Sequence, residues 1–186
     1  LFRSLFRGRE DVYAQRFVTK DGKRGYQPVC RNRWSIECKA HKYKCEGCAH
    51  RDLVPLDDAI IRRHLHKGAK KTDIIGLFPI MENNTCFFLC ADFDDKNCQH
   101  GYKDDVLSYV GVCNDWNIPV YIERSRSGNG AHLWIFFSEP VSAALARKLG
   151  FAILGSAMER NVQLDMKSYD RFFPNQDFVP KGGFGN

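Results

Sequence analysis

Hydrophobic and polar positions change rhythm several times along the chain, and each rhythm predicts an element. Cys86 through Asp94 is a nearly unbroken apolar run behind the turn-forming Glu82-Asn83-Asn84, the pattern of a short buried strand. Ile74–Ile80, Val120–Glu123 and His132–Phe137 read as further strands. Helical spacing runs through Val106, Val110 and Cys113 in Asp104–Trp116. It returns through Leu145, Leu149 and Ile153 in Ser142–Arg160, with Ser142 placed as a cap. Asp57 or Asp58 can cap a shorter helix reaching about His66, with Ile60, Ile61 and Leu65 on one side. Residues 161–186, with three Gly and two Pro, predict irregular chain. Strands mixed with helices predict an α+β or α/β domain.

The first predicted strand ends in Asp92-Phe93-Asp94. Side chains alternate along a strand, so both carboxylates point one way and Phe93 points back. Two carboxylates on one face repel unless a cation lies between them, and oxygen ligands favour Mg²⁺ or Mn²⁺ over zinc. An Asp-x-Asp by itself is more often a solvated strand end, so the remaining motifs decide.

A second stretch runs from Glu123-Arg124-Ser125-Arg126-Ser127-Gly128-Asn129-Gly130-Ala131-His132 into an apolar strand. A Ser/Gly/Asn loop can turn backbone N–H groups toward an anion, and Arg124 and Arg126 add charge suited to phosphate. His132, at the mouth of its strand, is placed to reach a phosphate oxygen. On local pattern alone, a hairpin turn with a surface His reads equally well. A third stretch, residues 165–177, supplies Asp165, Asp170 and Asp177.

Composition narrows the classes. The 186 residues are 44% hydrophobic with 14 Phe, enough to build a core. No apolar stretch approaches membrane-spanning length and the start has no signal-peptide pattern, which predicts a protein without membrane attachment. The Leu at the start and the strand-like opening at Phe184-Gly185-Asn186 read as the limits of a fragment of a longer protein. A net charge of +6 favours a polyanionic partner. Eight cysteines without a secretory signal indicate a reducing, cytoplasmic setting. Four of them, Cys30, Cys38, Cys45 and Cys48, fall in one window whose Cys45-x2-Cys48 pair has zinc-knuckle spacing. Four thiolates suit a closed structural Zn²⁺ site, with His41 or His50 as possible substitutes. The predicted organisation is a basic N-terminal region with this zinc module over residues 1–56 and a core over 57–186. Tyr13, Phe17, Tyr26, Trp34 and Tyr43 are interleaved with Lys and Arg in the first part of the chain. Such a surface can stack unpaired bases and pair with their phosphates.

Taken together, the three stretches resemble the archaeo-eukaryotic primase superfamily, whose order is an Asp-x-Asp strand, then Ser-x-His, then a hydrophobic-Asp. Gly130 stands where that pattern has Ser. A closer resemblance is to the primase-polymerase branch of transposon-linked (TOTE-type) conflict systems and CRISPR-associated primase-polymerases. It is carried by Phe2–Tyr13, Glu123–His132 and Ser168–Asn186, and spans nearly the whole chain.

The resemblance implies an α+β catalytic core with a mixed or antiparallel sheet flanked by helices. It implies nucleotidyl transfer from nucleoside triphosphates on a single-stranded DNA template, with two Mg²⁺ or Mn²⁺ ions. Asp92 and Asp94 would hold the metals with a third Asp: Asp177 by its spacing to Asn186, then Asp170, which follows Tyr169, then Asp165. Arg124, Arg126, Ser127, Gly128, Asn129, Gly130 and His132 would line the nucleotide pocket. Helicase, nuclease or CRISPR proteins would be fused or associated partners. Two rivals predict different behaviour. A metal-dependent nuclease would degrade DNA without nucleotides, and a silent zinc-organised binding module would not need Asp92.

Overall fold

The apolar run forms an interior strand of a four-stranded sheet in the computed structural model, which describes residues 1–66, 68, 70–95, 101–160 and 166–186. In chain order the elements begin with α1 (Phe2–Leu5), β1 (Ala14–Val18), β2 (Arg24–Pro28), α2 (Ile36–Ala40), α3 (Asp58–Leu65) and β3 (Ile75–Gly76). They continue with β4 (Thr85–Asp94), α4 (Tyr102–Asp115), β5 (Tyr121–Arg124), β6 (Gly130–Ser142), α5 (Ala143–Arg160) and β7 (Tyr169–Phe173). Two antiparallel sheets and five α-helices among the described residues make the architecture α+β. No described helix is long and apolar enough to cross a membrane.

The backbone divides into two units. One comprises Leu1–Arg7, Asn83–Phe178 and Asn186. Its sheet runs β5-β6-β4-β7 with every neighbour antiparallel. One face, carrying Leu89, Phe93 and Phe172, is covered by α4 and α5: Phe93 packs edge-on against Tyr109, and Phe172 against Phe151. Of the expected Leu145–Leu149–Ile153 stripe, Ile153 is buried and Leu149 half-buried, while Leu145 is exposed. The buried residues of α5 are mostly small: Ala143, Ala146, Gly150 and Ala157, with Ile153 and Leu154. The sheet comes too close for larger side chains, because a Cβ on Gly150 would lie 2.6 Å from the Phe172 ring and 3.0 Å from Leu89. Ser142 is a cap, accepting from Leu145 N at 3.1 Å.

On the opposite face, Phe88, Cys90, Asp92 and Asp94 of β4 sit opposite Phe136, Trp134, His132 and Gly130 of β6. Helix α1 covers the aromatic end of this face: the Phe6 ring lies 5.0 Å from Trp134, 5.5 Å from Phe136 and 6.3 Å from Phe88. The polar end, at Asp92, is left open by the described residues of this unit.

The other unit comprises Gly8–Glu82 and Val179–Gly185, and its sheet runs β2-β1-β3. The expected strand Ile74–Ile80 pairs only at Ile75 and Gly76, where the shorter β1 reaches it. Asp57 caps α3 by accepting from Ile60 N at 2.8 Å. Ile60 and Ile61 are buried, while Leu65 is exposed. The Gly182 carbonyl accepts from Gly47 N at 3.0 Å and from Arg51 Nη1 at 2.7 Å, tying the glycine-rich C-terminal segment to the Cys45–Cys48 loop. Gly182 has φ 74°, and a Cβ there would meet Gly47 N at 2.9 Å, so only glycine fits.

Candidate active site

The polar end of the open face is one transverse row across the sheet. Glu123 of β5 pairs with His132 of β6, His132 with Asp92 of β4, and Asp92 with Arg171 of β7. Alternation along β4 brings Asp94 to the same face, as the Asp-x-Asp spacing predicts. On β7 the register slips: Asp92 pairs with Arg171 but Phe93 pairs with Tyr169, which leaves Asp170 as the extra residue of a β-bulge. Tyr169 and Phe172, three residues apart, both pack inward, the former against Phe93 and the latter against Phe151. The bulge is what lets Asp170 leave the regular alternation and join the acidic row.

Carboxylate oxygens of Asp92, Asp94 and Asp170 all lie within 4.8 Å of one another. Burial raises the Asp92 carboxyl above its ordinary range; His132 opposes this, while Asp94 and Asp170 add to it. Three oxygen donors at this separation, one of them destabilised as an anion, fit a hard divalent cation. Of the other two Asp considered as the third ligand, Asp165 lies outside the described residues. Asp177 is not part of this group. Its carboxylate accepts from Arg147 Nε at 2.7 Å, and Arg147 Nη1 also donates to the Pro174 carbonyl at 3.1 Å. The geometry therefore gathers Asp170, the second choice by sequence, in place of Asp177. Arg171 Nε donates to Asp170 Oδ2 at 2.9 Å.

His132 lies beside the acids with its side chain 31% exposed and its Nε2 3.5 Å from Asp92 Oδ1. Its Nδ1 is 3.1 Å from Glu123 Oε2, and the same oxygen accepts from Trp134 Nε1 at 2.8 Å. Glu123 is thus fixed by Trp134 and in turn fixes the imidazole. Sequence reasoning named no role for Glu123. The signal was available in the hairpin: with Arg124 opposite Ala131, Glu123 must fall opposite His132.

The loop between β5 and β6 is tightly folded. Gly128 has φ 80°, its N–H donates to the Ser125 carbonyl at 2.9 Å, and its own carbonyl lies 3.4 Å from Arg124 Nε and Nη2. Ser125 Oγ and Ser127 Oγ are 3.0 Å apart, and Asn129 N donates to Ser127 Oγ at 3.3 Å. Asn129 and Arg126 are exposed. A Cβ on Gly130 would overlap the Phe93 carbonyl oxygen and lie 3.1 Å from Asp94 Oδ1. That crowding explains why glycine stands here: a side chain would collide with the strand that carries the acids.

A buried pair holds the bulged segment. Asp105 of α4 and Ser168 are each 1% exposed, and the Ser168 hydroxyl and N–H both donate to Asp105 Oδ2. The Ser168 carbonyl accepts from Asp94 N at 2.7 Å, which links this pair to the acidic strand. Asp105→Ala leaves both Ser168 donors buried and unpaired. It should lower unfolding free energy by about 1–3 kcal/mol in urea titrations.

Cys30, Cys38, Cys45, Cys48 and His50 line one pocket in the other unit. Burial raises the Cys45 thiol; the Arg33 guanidinium opposes this, and Cys30 and Cys38 add to it. The donor chemistry fits zinc. Tetrahedral ligation would need sulfur–sulfur separations of about 3.8 Å. Among the described residues only the acidic group has three or more donor atoms mutually within 4.8 Å, so no three of these thiols meet that separation.

A family model described as the archaeo-eukaryotic primase domain of TOTE conflict systems matches residues 1–186. A search of curated proteins finds no match to this sequence. Enzymes of the primase superfamily are generally nucleotidyl transferases and typically depend on divalent metal, in keeping with the acidic group on the open face. Matched over residues 1–186, the chain belongs to the archaeo-eukaryotic primase domain family of TOTE conflict systems.

Proposed function

We propose that the open sheet face carries out template-directed nucleotidyl transfer, adding NTP or dNTP to a primer end or to a first nucleotide on single-stranded DNA. The observation that carries this reading is the convergence of Asp92, Asp94 and Asp170 beside His132. Mg²⁺ or Mn²⁺ held by the three carboxylates would supply Lewis-acid activation of the attacking hydroxyl and charge neutralisation at the leaving pyrophosphate. His132 binds a phosphate oxygen of the incoming triphosphate, with Glu123 setting the ring's orientation. Arg124 and Arg126, with the Ser127–Gly130 loop, complete the anion site. Chemistry of this kind demands positioning and charge neutralisation, which a fixed row on a sheet provides.

The direct test supplies single-stranded template, labelled nucleotides and Mn²⁺ or Mg²⁺ to wild type and Asp92→Ala. Template-dependent incorporation by wild type alone supports the reading. Degradation of DNA without added nucleotides would instead indicate a nuclease.

His132→Ala should raise the nucleotide KM by about tenfold, the loss of one charge-assisted hydrogen bond. Glu123→Ala should do the same through the loosened ring, by about three- to tenfold. Glu123→Gln, which keeps an acceptor for Trp134 Nε1, should fall between it and wild type. Unchanged nucleotide titrations in all three would remove His132 from the triphosphate site.

The cysteine pocket is proposed to hold one structural Zn²⁺ through Cys30, Cys38, Cys45 and Cys48. Elemental analysis of protein purified without chelator should give about one zinc per chain, and Cys45→Ser should abolish it. Zinc-free protein with unchanged thermal stability would reject this assignment. Fused or associated helicase, nuclease or CRISPR proteins are proposed partners of the domain.

A further inference from the structure

The structure sorts the aromatic residues of the N-terminal half. Tyr13 is buried, whereas Trp34 is 61% exposed and Tyr43 is 40% exposed. Their rings lie 5.1 Å apart, and the Arg33 guanidinium is 5.1 Å from the Trp34 ring and 5.6 Å from the Tyr43 ring. Arg33 is held there: Nη1 donates to the Tyr43 carbonyl at 3.3 Å and Nη2 to Gln27 Oε1 at 2.7 Å. Trp34, Lys42 and Tyr43 have φ of 78°, 52° and 58°, a left-handed conformation that residues with side chains rarely adopt. Three such residues hold this corner in a shape that keeps a large ring in water instead of in the core. Ile36, next to it in the chain, is 82% exposed. The surroundings are cationic. Between Arg31 and Arg51 there are six Lys or Arg against two Glu, so a short segment carries most of the chain's net charge of +6.

A rigid ring pair backed by a guanidinium, in a field of exposed lysines, offers a flat π surface with phosphate-pairing charge around it. Every nucleobase has a π face, and unpaired bases alone can present it. A protein partner matching this surface would need an acidic, apolar patch; single-stranded nucleic acid has both features in every nucleotide. We infer that Arg33, Trp34 and Tyr43 form a stacking platform for an unpaired base of single-stranded DNA, with Lys42 and Lys44 pairing to the flanking phosphates. This deepens the proposed function and rests on it for the choice of DNA, but the interaction is one of binding and needs no catalysis.

The test is fluorescence anisotropy of a labelled oligothymidylate, an abasic strand of equal length and a duplex, at fixed salt. Trp34→Ala should weaken binding of the oligothymidylate about tenfold, to the level of the abasic strand, and leave the abasic strand unaffected. Trp34→Phe should restore most of the loss. Lys42→Glu with Lys44→Glu should weaken both strands and flatten the salt dependence. Equal loss on base-bearing and abasic strands, no loss on either, or duplex bound as tightly as single strand would each overturn the platform. If Trp34→Ala does not fold, intrinsic fluorescence decides: wild type should be quenched by oligothymidylate far more than Trp34→Phe, and equal quenching would overturn the proposal. Stacking without synthesis would strike only the nucleotidyl-transfer reading.

Discussion

Asp92→Asn should abolish nucleotide incorporation, by roughly a thousandfold or more, while raising the melting temperature of the metal-free protein. The two effects share one cause. Burial, reinforced by Asp94 and Asp170 and partly offset by His132, raises the Asp92 carboxyl above its ordinary value. The folded chain therefore holds that proton more tightly than the unfolded chain does. The metal-free fold loses stability as pH rises through the raised value, and the Asn variant is spared this loss. The gain in melting temperature should grow as pH rises above the ordinary carboxyl range, about pH 4, and vanish below it. Adding Mn²⁺ should reverse the order, because wild type gains stability from the bound ion and the variant gains little. Calorimetry with chelator and with Mn²⁺ reads both. A variant less stable than wild type in chelator at neutral pH would show that the carboxylate is not under repulsion.

Asp170→Ala should lose incorporation by roughly a hundredfold or more, and Asp177→Ala should stay near wild type. Asp170 contributes one of the three converging oxygens. Asp177 makes a half-exposed ion pair with Arg147, its side chain 50% exposed. Losing such a pair costs at most about 1 kcal/mol, visible in denaturant titration if at all. Steady-state extension assays on both variants, with melting curves beside them, separate the two cases. Loss of activity in Asp177→Ala at unchanged stability would overturn the geometric assignment.

How far the sequence carried the reading depended on how local each signal was. β4, α4, β5 and α5 announce themselves through apolar runs or helical spacing within one segment, and each formed within a few residues of its expected bounds. That Asp92 and Asp94 share a face followed from alternation within one strand; that His132 joins them was implied only by the family resemblance. β7 did not show, because Tyr169-Asp170-Arg171 breaks the strand rhythm, and the break is the bulge itself. Spacing to Asn186 then favoured Asp177, whereas sheet register, a nonlocal property, places Asp170 beside Asp92 and Asp94. The strands β1 and β2 were hidden by charge: Arg16 and Arg24 sit within a hairpin whose pairing alternation does not reveal. Helix α5 was recognised as a helix, but only Ile153 of its expected stripe is fully buried. Its other buried positions are mostly Ala and Gly, and hydrophobicity does not mark a face chosen for closeness.

The bulged strand also makes the acidic group dependent on local order. Among the described residues β7 is the outermost strand on its side of the sheet, five residues long, with β4 as its only strand neighbour. Edge segments of this length open far more often than a core strand does. Each such opening would remove Asp170 from Asp92 and Asp94 while β4 and β6 remain paired. Metal affinity is then an occupancy-weighted quantity, set partly by how often β7 is docked. By the same linkage, a bound ion should slow amide hydrogen exchange at Phe172 and Phe173 well beyond any change at Leu133 or Ile135, making exchange kinetics of this strand a gauge of metal loading in the absence of turnover.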